Sequence, residues 1–293
     1  MYKYLRNKVA ILIFTLPALI VFSVIVFYPI IQTFYKSMFD WNGLGKGTFI
    51  FLDNYKRLLK DSIFHISIRN GLIFAAVLAV LQIGIGTFLA FAVSDIALKG
   101  RNFLRITYFI PVVLSITVVC QLWLSIYNEE FGLINKLMEQ LGFLYRQNWL
   151  SSEKSAIYAV AVVNAWQYMG YHFALILAAV KSLPEQYFEA ARIDGAGKIK
   201  AHISITIPLL YETYKFCLIL AVTGGLNAFA NMYIMTNGGP GDVTYTLTFL
   251  MYRSAFRVNE FGYGCAAAAV LVIECLLATI IINKSFRRKQ ITY

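Results

Sequence analysis

The chain has 293 residues, of which 59% are hydrophobic and only 14% charged, and its formal net charge is +11. A soluble domain must wet its surface with more polar residues than that, so composition excludes an ordinary water-soluble fold and points to lipid as the solvent for much of the surface. The excess of Lys and Arg does not mark a nucleic-acid-binding protein, because the cations are spread over the polar stretches between apolar runs instead of gathering on one face.

Six stretches, at about 10–31, 71–93, 106–126, 156–180, 216–235 and 265–282, contain no Lys or Arg and are long enough to cross a hydrocarbon core of roughly 30 Å. The fold expected is an all-α membrane protein with six transmembrane helices, in a single domain over 1–293. The first stretch, preceded by Lys3, Arg6 and Lys8, imitates a secretory signal. Its apolar run is too long for one and no small-x-small cleavage site follows, so it is expected to stay as the first span. With a cytoplasmic amino terminus, the inner segments hold 15 of the 26 Lys and Arg residues although the outer loops are longer. That bias predicts a multi-pass membrane protein with both termini cytoplasmic and Arg287, Arg288 and Lys289 as a stop-transfer anchor. Cys120, Cys217, Cys265 and Cys275 all fall inside the spans without Cys-x-x-Cys spacing and read as small packing residues, not as a disulfide or metal framework.

The first outer loop, 36–70, carries turn formers in DWNGLGKGTF and then a short helix over 53–60. The second, 128–155, has an apolar helical pattern at Leu133, Leu137 and Leu141 that predicts a surface helix. The third holds TNGGPGD, 236–242, where adjacent glycines and Pro240 enforce a turn. Most informative is the inner loop 182–208. Ser182 and Glu185 have capping-box spacing, Pro184 suits a first helical turn, and Gly195 can end the helix in a left-handed conformation. A second short helix follows and is expected to close near Pro208, because a residue before proline avoids helical geometry.

At this point the residues carry a family resemblance. EAARIDGA at 189–196, followed by IPLL at 207–210, resembles the EAA loop of bacterial ABC importer permeases. YPI in the first span, FIPVV at 109–113, FGLIN at 131–135, TNGGPGD and YRSAF at 252–256 occur in an order and spacing similar to the carbohydrate-uptake branch, that of the maltose and multiple-sugar transporter permeases. The resemblance implies that Glu189, Ala190, Ala191, Asp194, Gly195 and Ala196 form the cytoplasmic coupling element that docks in a cleft of the ATPase. His202 stands where the family usually has an aromatic residue, and Glu212 where a second proline often follows. The resemblance also implies the partners: a second permease subunit completing a heterodimeric pore, an ABC ATPase dimer, an extracytoplasmic solute-binding protein and a sugar substrate, an oligosaccharide by the branch concerned.

No cofactor is expected on this chain, with ATP and Mg held by the partner ATPase. GAGKI, 195–199, is only a fragment of a phosphate-binding loop, since Arg192 and Ile199 stand where Gly and Ser or Thr are required. His65, His172 and His202 are far apart, and no hydrolase or metalloprotease motif occurs, so the chain is read as a non-catalytic subunit with no metal site.

Polar residues inside spans mark a possible path, since lipid offers them no partner. They are Gln82, Gln121, Asn164, Gln167, His172, Asn227, Asn231 and Glu274. In NAWQYMGYHF, Asn164, Gln167 and Tyr171 recur at helical spacing with Trp166 and Tyr168 nearby, a combination suited to sugar hydroxyls and ring faces. The substrate path expected is therefore Asn164, Gln167, Tyr171, Asn227, Asn231 and Glu274; the alternative for each is interhelical hydrogen bonding. Gly224 and Gly225 allow either a bend in span five or close packing. Two other functions stay open at this stage: ABC import of a noncarbohydrate solute such as a glycerol phosphate ester, and a secondary transporter or channel.

Overall fold

The computed structural model describes residues 8–95, 98–143 and 145–286, so the cations at Lys3, Arg6 and Arg287 to Lys289 lie outside the described residues. The described chain is almost entirely helical. It runs α1 (Lys8–Phe22), a π-helical turn (Ser23–Phe27), α2 (Tyr28–Lys36), a two-stranded hairpin of β1 (Phe39–Asp40) and β2 (Thr48–Phe49), and α3 (Asp53–Lys60). Next come α4 (Ser62–Ser94), α5 (Arg101–Val113), α6 (Ile116–Ile126), α7 (Leu133–Gln140), α8 (Ala156–Lys181), α9 (Glu185–Ile193) and α10 (Lys198–Ala201). A second π turn (His202–Thr206) leads to α11 (Ile207–Leu209), α12 (Tyr211–Leu226), α13 (Ala230–Met235) and α14 (Leu247–Tyr252), and a third (Arg253–Arg257) precedes α15 (Phe261–Ser285).

Among the described residues, three helical stretches are long and apolar enough to cross a membrane: Ile11–Lys36, Ser62–Ser94 and Phe261–Ser285. Two bent pairs raise the number to five, α5 with α6 at 100° and Lys198–Leu209 with α12 at 74°. The expected span at 106–126 is thus not one straight helix; it breaks where Leu114 is extended (φ −73°, ψ 144°). The expected span at 216–235 also breaks, at 227–229 and not at Gly224 or Gly225. α8 has the length to cross, 26 residues, but its polar residues place it outside those apolar stretches, and 15 of its residues are buried.

The chain divides into two compact units, one of Met1–Asp61 with Leu250–Val270, the other of Ser62–Phe249 with Leu271–Tyr293. In the first, none of the described side chains of α1 is buried and most are apolar, with Phe14 84% exposed, as suits a helix solvated by lipid. The predicted helix at 53–60 forms as α3, and buried Asn54 fastens it to the hairpin by donating to the carbonyls of Ser37 (2.8 Å) and Phe39 (2.9 Å). Arg57 donates to both carboxylate oxygens of Glu260 (2.9 and 2.8 Å), which raises the guanidinium above its ordinary pKa.

In the second unit α4 and α8 pack along their lengths around Phe74, Leu78, Phe173 and Ile176, all essentially fully buried. Between helices in lipid, close van der Waals fit replaces the hydrophobic effect, and small residues set the approach distance. Gly225 of α12 shows this: a Cβ there would lie 2.7 Å from Ala75 Cα of α4. The close-packing alternative for Gly225 is the one realised.

Two of the π turns end directly before an X-Pro step, at Tyr28-Pro29 and Ile207-Pro208. A widened turn lets the helix continue past a residue that lacks an N–H and crowds the preceding turn. The helix closes at Leu209, near Pro208 as expected, but not for the reason expected, since Ile207 stays helical (φ −59°, ψ −48°) and the break falls at Leu210.

Candidate functional site

A cavity of about 510 Å³, its mostly apolar wall interrupted by polar side chains, opens inside the second unit between α4, α6, α8 and α12–α13. Its floor is a chain of amides from three helices. Gln82 donates to Asn164 Oδ1 (3.3 Å), Asn164 donates to Asn231 Oδ1 (2.8 Å), and Asn231 Nδ2 reaches Cys120 Sγ (3.7 Å). Asn164 and Asn231 are 6% and 1% exposed, so these bonds satisfy groups that lipid would leave stranded. Tyr168, Tyr171 and His172 stand on the α8 wall, and the Nδ1 of buried His172 has no protein partner. Asn227, at the break after α12, lines the opposite side and donates to Thr223 O (2.8 Å). None of the residues lining this cavity is Lys, Arg, Asp or Glu.

Of the six residues expected on a path, Asn164, Tyr171, Asn227 and Asn231 meet at this cavity. Gln167 does not line it. Its Nε2 donates to the carbonyl of Leu114 (3.1 Å), supplying a partner for backbone exposed by the α5–α6 break. Glu274, half-buried on α15, is also absent from the lining, and its Oε1 is buried without a protein partner. Gln82 and His172 were visible as polar residues inside spans, but only the structure joins them to Asn164.

The loop at 182–208 forms a helix, a turn and a second helix. α9 ends as expected, with Gly195 left-handed (φ +75°), Gly195 N donating to Arg192 O and Ala196 N to Ala191 O. The capping box does not form: Ser182 Oγ donates back to Ala179 O (2.8 Å), and Pro184 occupies the N-cap. Glu189, Ala190, Asp194 and Gly195 are exposed, Ala196 is half-buried, and Ala191 is buried within this chain. Ala191 therefore packs the loop from inside. Apolar side chains surround the turn on its outer side, with Ile193 86%, Ile199 77% and Ile203 59% exposed. Two contacts fix the loop to the end of α4: Lys198 pairs with Asp95 (2.6 Å), and His202 stacks on Phe91. Glu212, in the first turn of α12, pairs with Lys215.

Residues 82–291 match the family described as binding-protein-dependent transport system inner membrane component. The chain is 35% identical over 285 residues to the probable ABC transporter permease protein YurN of Bacillus subtilis, covering 96% of this chain and 97% of that one. It is 31% identical to the trehalose/maltose transport system permease protein MalF of Thermococcus litoralis, over 98% and 97% of the two chains. Its fold is shared with a crystal structure of a bacterial ABC transporter that imports the acidic polysaccharide alginate, at a TM-score of 0.82 and 21% identity over 100% of this chain and 99% of that one.

The chain is a multi-pass membrane permease of the ABC transporter class. It belongs to the binding-protein-dependent transport system inner membrane component family and serves as a non-catalytic subunit of an importer.

Proposed function

We propose that the chain forms one half of a heterodimeric pore that imports a carbohydrate, an oligosaccharide by preference, delivered by an extracytoplasmic binding protein and driven by an ATPase dimer. The observation that carries this reading is the uncharged cavity in the second unit: Tyr168 and Tyr171 offer aromatic faces and hydroxyls on its wall, beside His172, Asn227 and the buried amide chain of Gln82, Asn164 and Asn231. Amides bond sugar hydroxyls and aromatic rings stack on sugar faces. The names of relatives that carry trehalose or maltose support it. A glycerol phosphate ester is disfavoured, because no cation lines the cavity to balance a phosphate.

In the same reading the six spans are α1–α2, α4, the α5–α6 pair, α8, α12–α13 and α15, with both termini cytoplasmic. The loop 182–208 is then the coupling element. Its exposed Glu189, Asp194 and isoleucines contact the ATPase while Lys198 and His202 hold it to α4. The whole of 1–293 acts as one transmembrane domain.

Uptake by vesicles containing this chain, its companion permease, the ATPase and the binding protein tests the reading. Neutral oligosaccharides should accumulate with ATP and glycerol phosphate should not. Accumulation of glycerol phosphate alone would overturn the carbohydrate assignment.

A further inference from the structure

A second concavity, of about 580 Å³, runs between α5 and α8 on the side of α8 that carries Ala174, Ala178 and Lys181. Its walls are almost wholly apolar. α5 contributes Ile106, Phe109, Ile110 and Val113, the last three from the FIPVV segment that the first cavity leaves unused. At one end the chemistry changes abruptly, because Arg105 in the first turns of α5 and Lys181 at the last residue of α8 both line it.

These cations lack counter-charges within the described residues. Arg105 makes one hydrogen bond, a long one to the neutral Asn102 Oδ1 (3.4 Å), and its Nε is buried with no partner. A guanidinium carries five N–H donors, so most of its capacity is unused. Lys181 takes part in none of the ion pairs of the described structure, and no carboxylate lines the groove. The apolar part, from Arg105 to Val113, is eight residues long, or ~12 Å at ~1.5 Å per residue. That is close to the depth of one leaflet, half of a hydrocarbon core of about 30 Å. An apolar trough one leaflet deep, closed at the headgroup level by two unbalanced cations, has the form of an amphiphilic anion.

We propose that this groove holds an anionic phospholipid, its phosphate on Arg105 and Lys181 and one acyl chain along Ile106, Phe109, Val113 and Leu177. The leaflet is the inner one, a point that rests on the orientation proposed above; the lipid chemistry does not. A membrane-facing cation favours an anionic over a zwitterionic lipid by roughly fivefold, so two together give about 25-fold.

The test is native mass spectrometry of the assembled, delipidated transporter titrated with phosphatidylglycerol, phosphatidylcholine or inorganic phosphate. Wild-type complex should retain phosphatidylglycerol about 25-fold over phosphatidylcholine, and millimolar phosphate should not displace it. Arg105→Gln with Lys181→Gln should bring the two lipids to parity, whereas Ala178→Phe, which fills the trough, should reduce both. Because these variants could fail to assemble, a photoreactive phosphatidylglycerol is also applied to wild-type complex. It should label peptides spanning 105–113 and 173–181. Equal retention of the two lipids by wild type, displacement by phosphate alone, label elsewhere, or disulfide capture of the companion permease by Ala178→Cys would each overturn the proposal.

Discussion

His202 lies flat on Phe91, with ring centroids 4.3 Å apart and planes 8° from parallel, and the edge of Phe188 approaches it at 6.2 Å. Its Nδ1 lies 3.1 Å from Thr206 Oγ1. An imidazole therefore fills the place that the family resemblance assigns to an aromatic ring, and does so as an aromatic. His202→Phe should keep the coupling loop seated and transport near wild type. His202→Ala should lose a stacking contact worth about 0.5 to 1.5 kcal/mol and reduce substrate-stimulated ATP hydrolysis several-fold. Equal loss in both variants would show that the bond to Thr206, not the stack, matters.

Asn164 and Gln167 sit one turn apart on α8 yet should fail differently. Asn164→Leu removes the middle of the amide chain from Gln82 to Asn231, so uptake should fall at least tenfold while ATPase assembly persists. Gln167→Leu strands the Leu114 carbonyl, a loss of about 1 to 3 kcal/mol that should appear as a lower thermal midpoint of the complex. The pair of measurements, initial uptake rate and melting in detergent, separates the two roles; a purely transport defect in Gln167→Leu would contradict the assignment.

Gly195 offers a test of coupling in which side-chain bulk is not the issue. A Cβ at this position meets nothing within 4 Å, so Gly195→Val acts only through its positive φ, at a cost of about 1 to 3 kcal/mol. Asn tolerates that conformation better. Co-purification of the ATPase should weaken markedly with Val and slightly with Asn. Identical binding in all three would remove the loop from the docking surface.

Adjacent glycines in α12 should respond in opposite ways. Gly225→Ala drives a methyl against Ala75 Cα and should lower the yield of folded permease, whereas Gly224→Ala meets nothing within 4 Å and should be neutral. Expression with a fluorescence-detected size-exclusion profile distinguishes them.

The proposed orientation predicts opposite labelling at two exposed serines. In a chain without its native thiols, Ser151→Cys should react with an impermeant reagent from outside and Ser204→Cys only after the membrane is opened. The reverse pattern would invert the topology.

The features legible in the sequence were those fixed by neighbours along the chain. Gly195 as a left-handed terminator and the helix at 53–60 needed only local signals. The breaks at Leu114 and 227–229 contain no glycine, and proline is only nearby at Pro111; at the first, the exposed carbonyl is answered by Gln167, 53 residues away. Periodicity cannot display that. The same holds for the cavity: helical spacing put Asn164, Gln167 and Tyr171 on adjoining positions, but which of them faces the cavity was decided by the neighbours of α8. The capping box failed for a local reason, because the Ser182 hydroxyl already had a carbonyl one turn behind it.

α8 carries a consequence for how the protein is made. With Asn164, Gln167 and His172 in its middle, it partitions poorly into lipid alone, and 15 of its 26 residues are covered by other helices. Its bilayer is in effect the rest of the protein. α4, α5 and α6 leave the ribosome first and supply Gln82 and the Leu114 carbonyl, whereas Asn231 arrives about seventy residues later. Insertion of α8 must therefore be assisted by the helices already synthesised, and a chain truncated after Lys181 should hold it in the membrane less securely than one that extends past Met235.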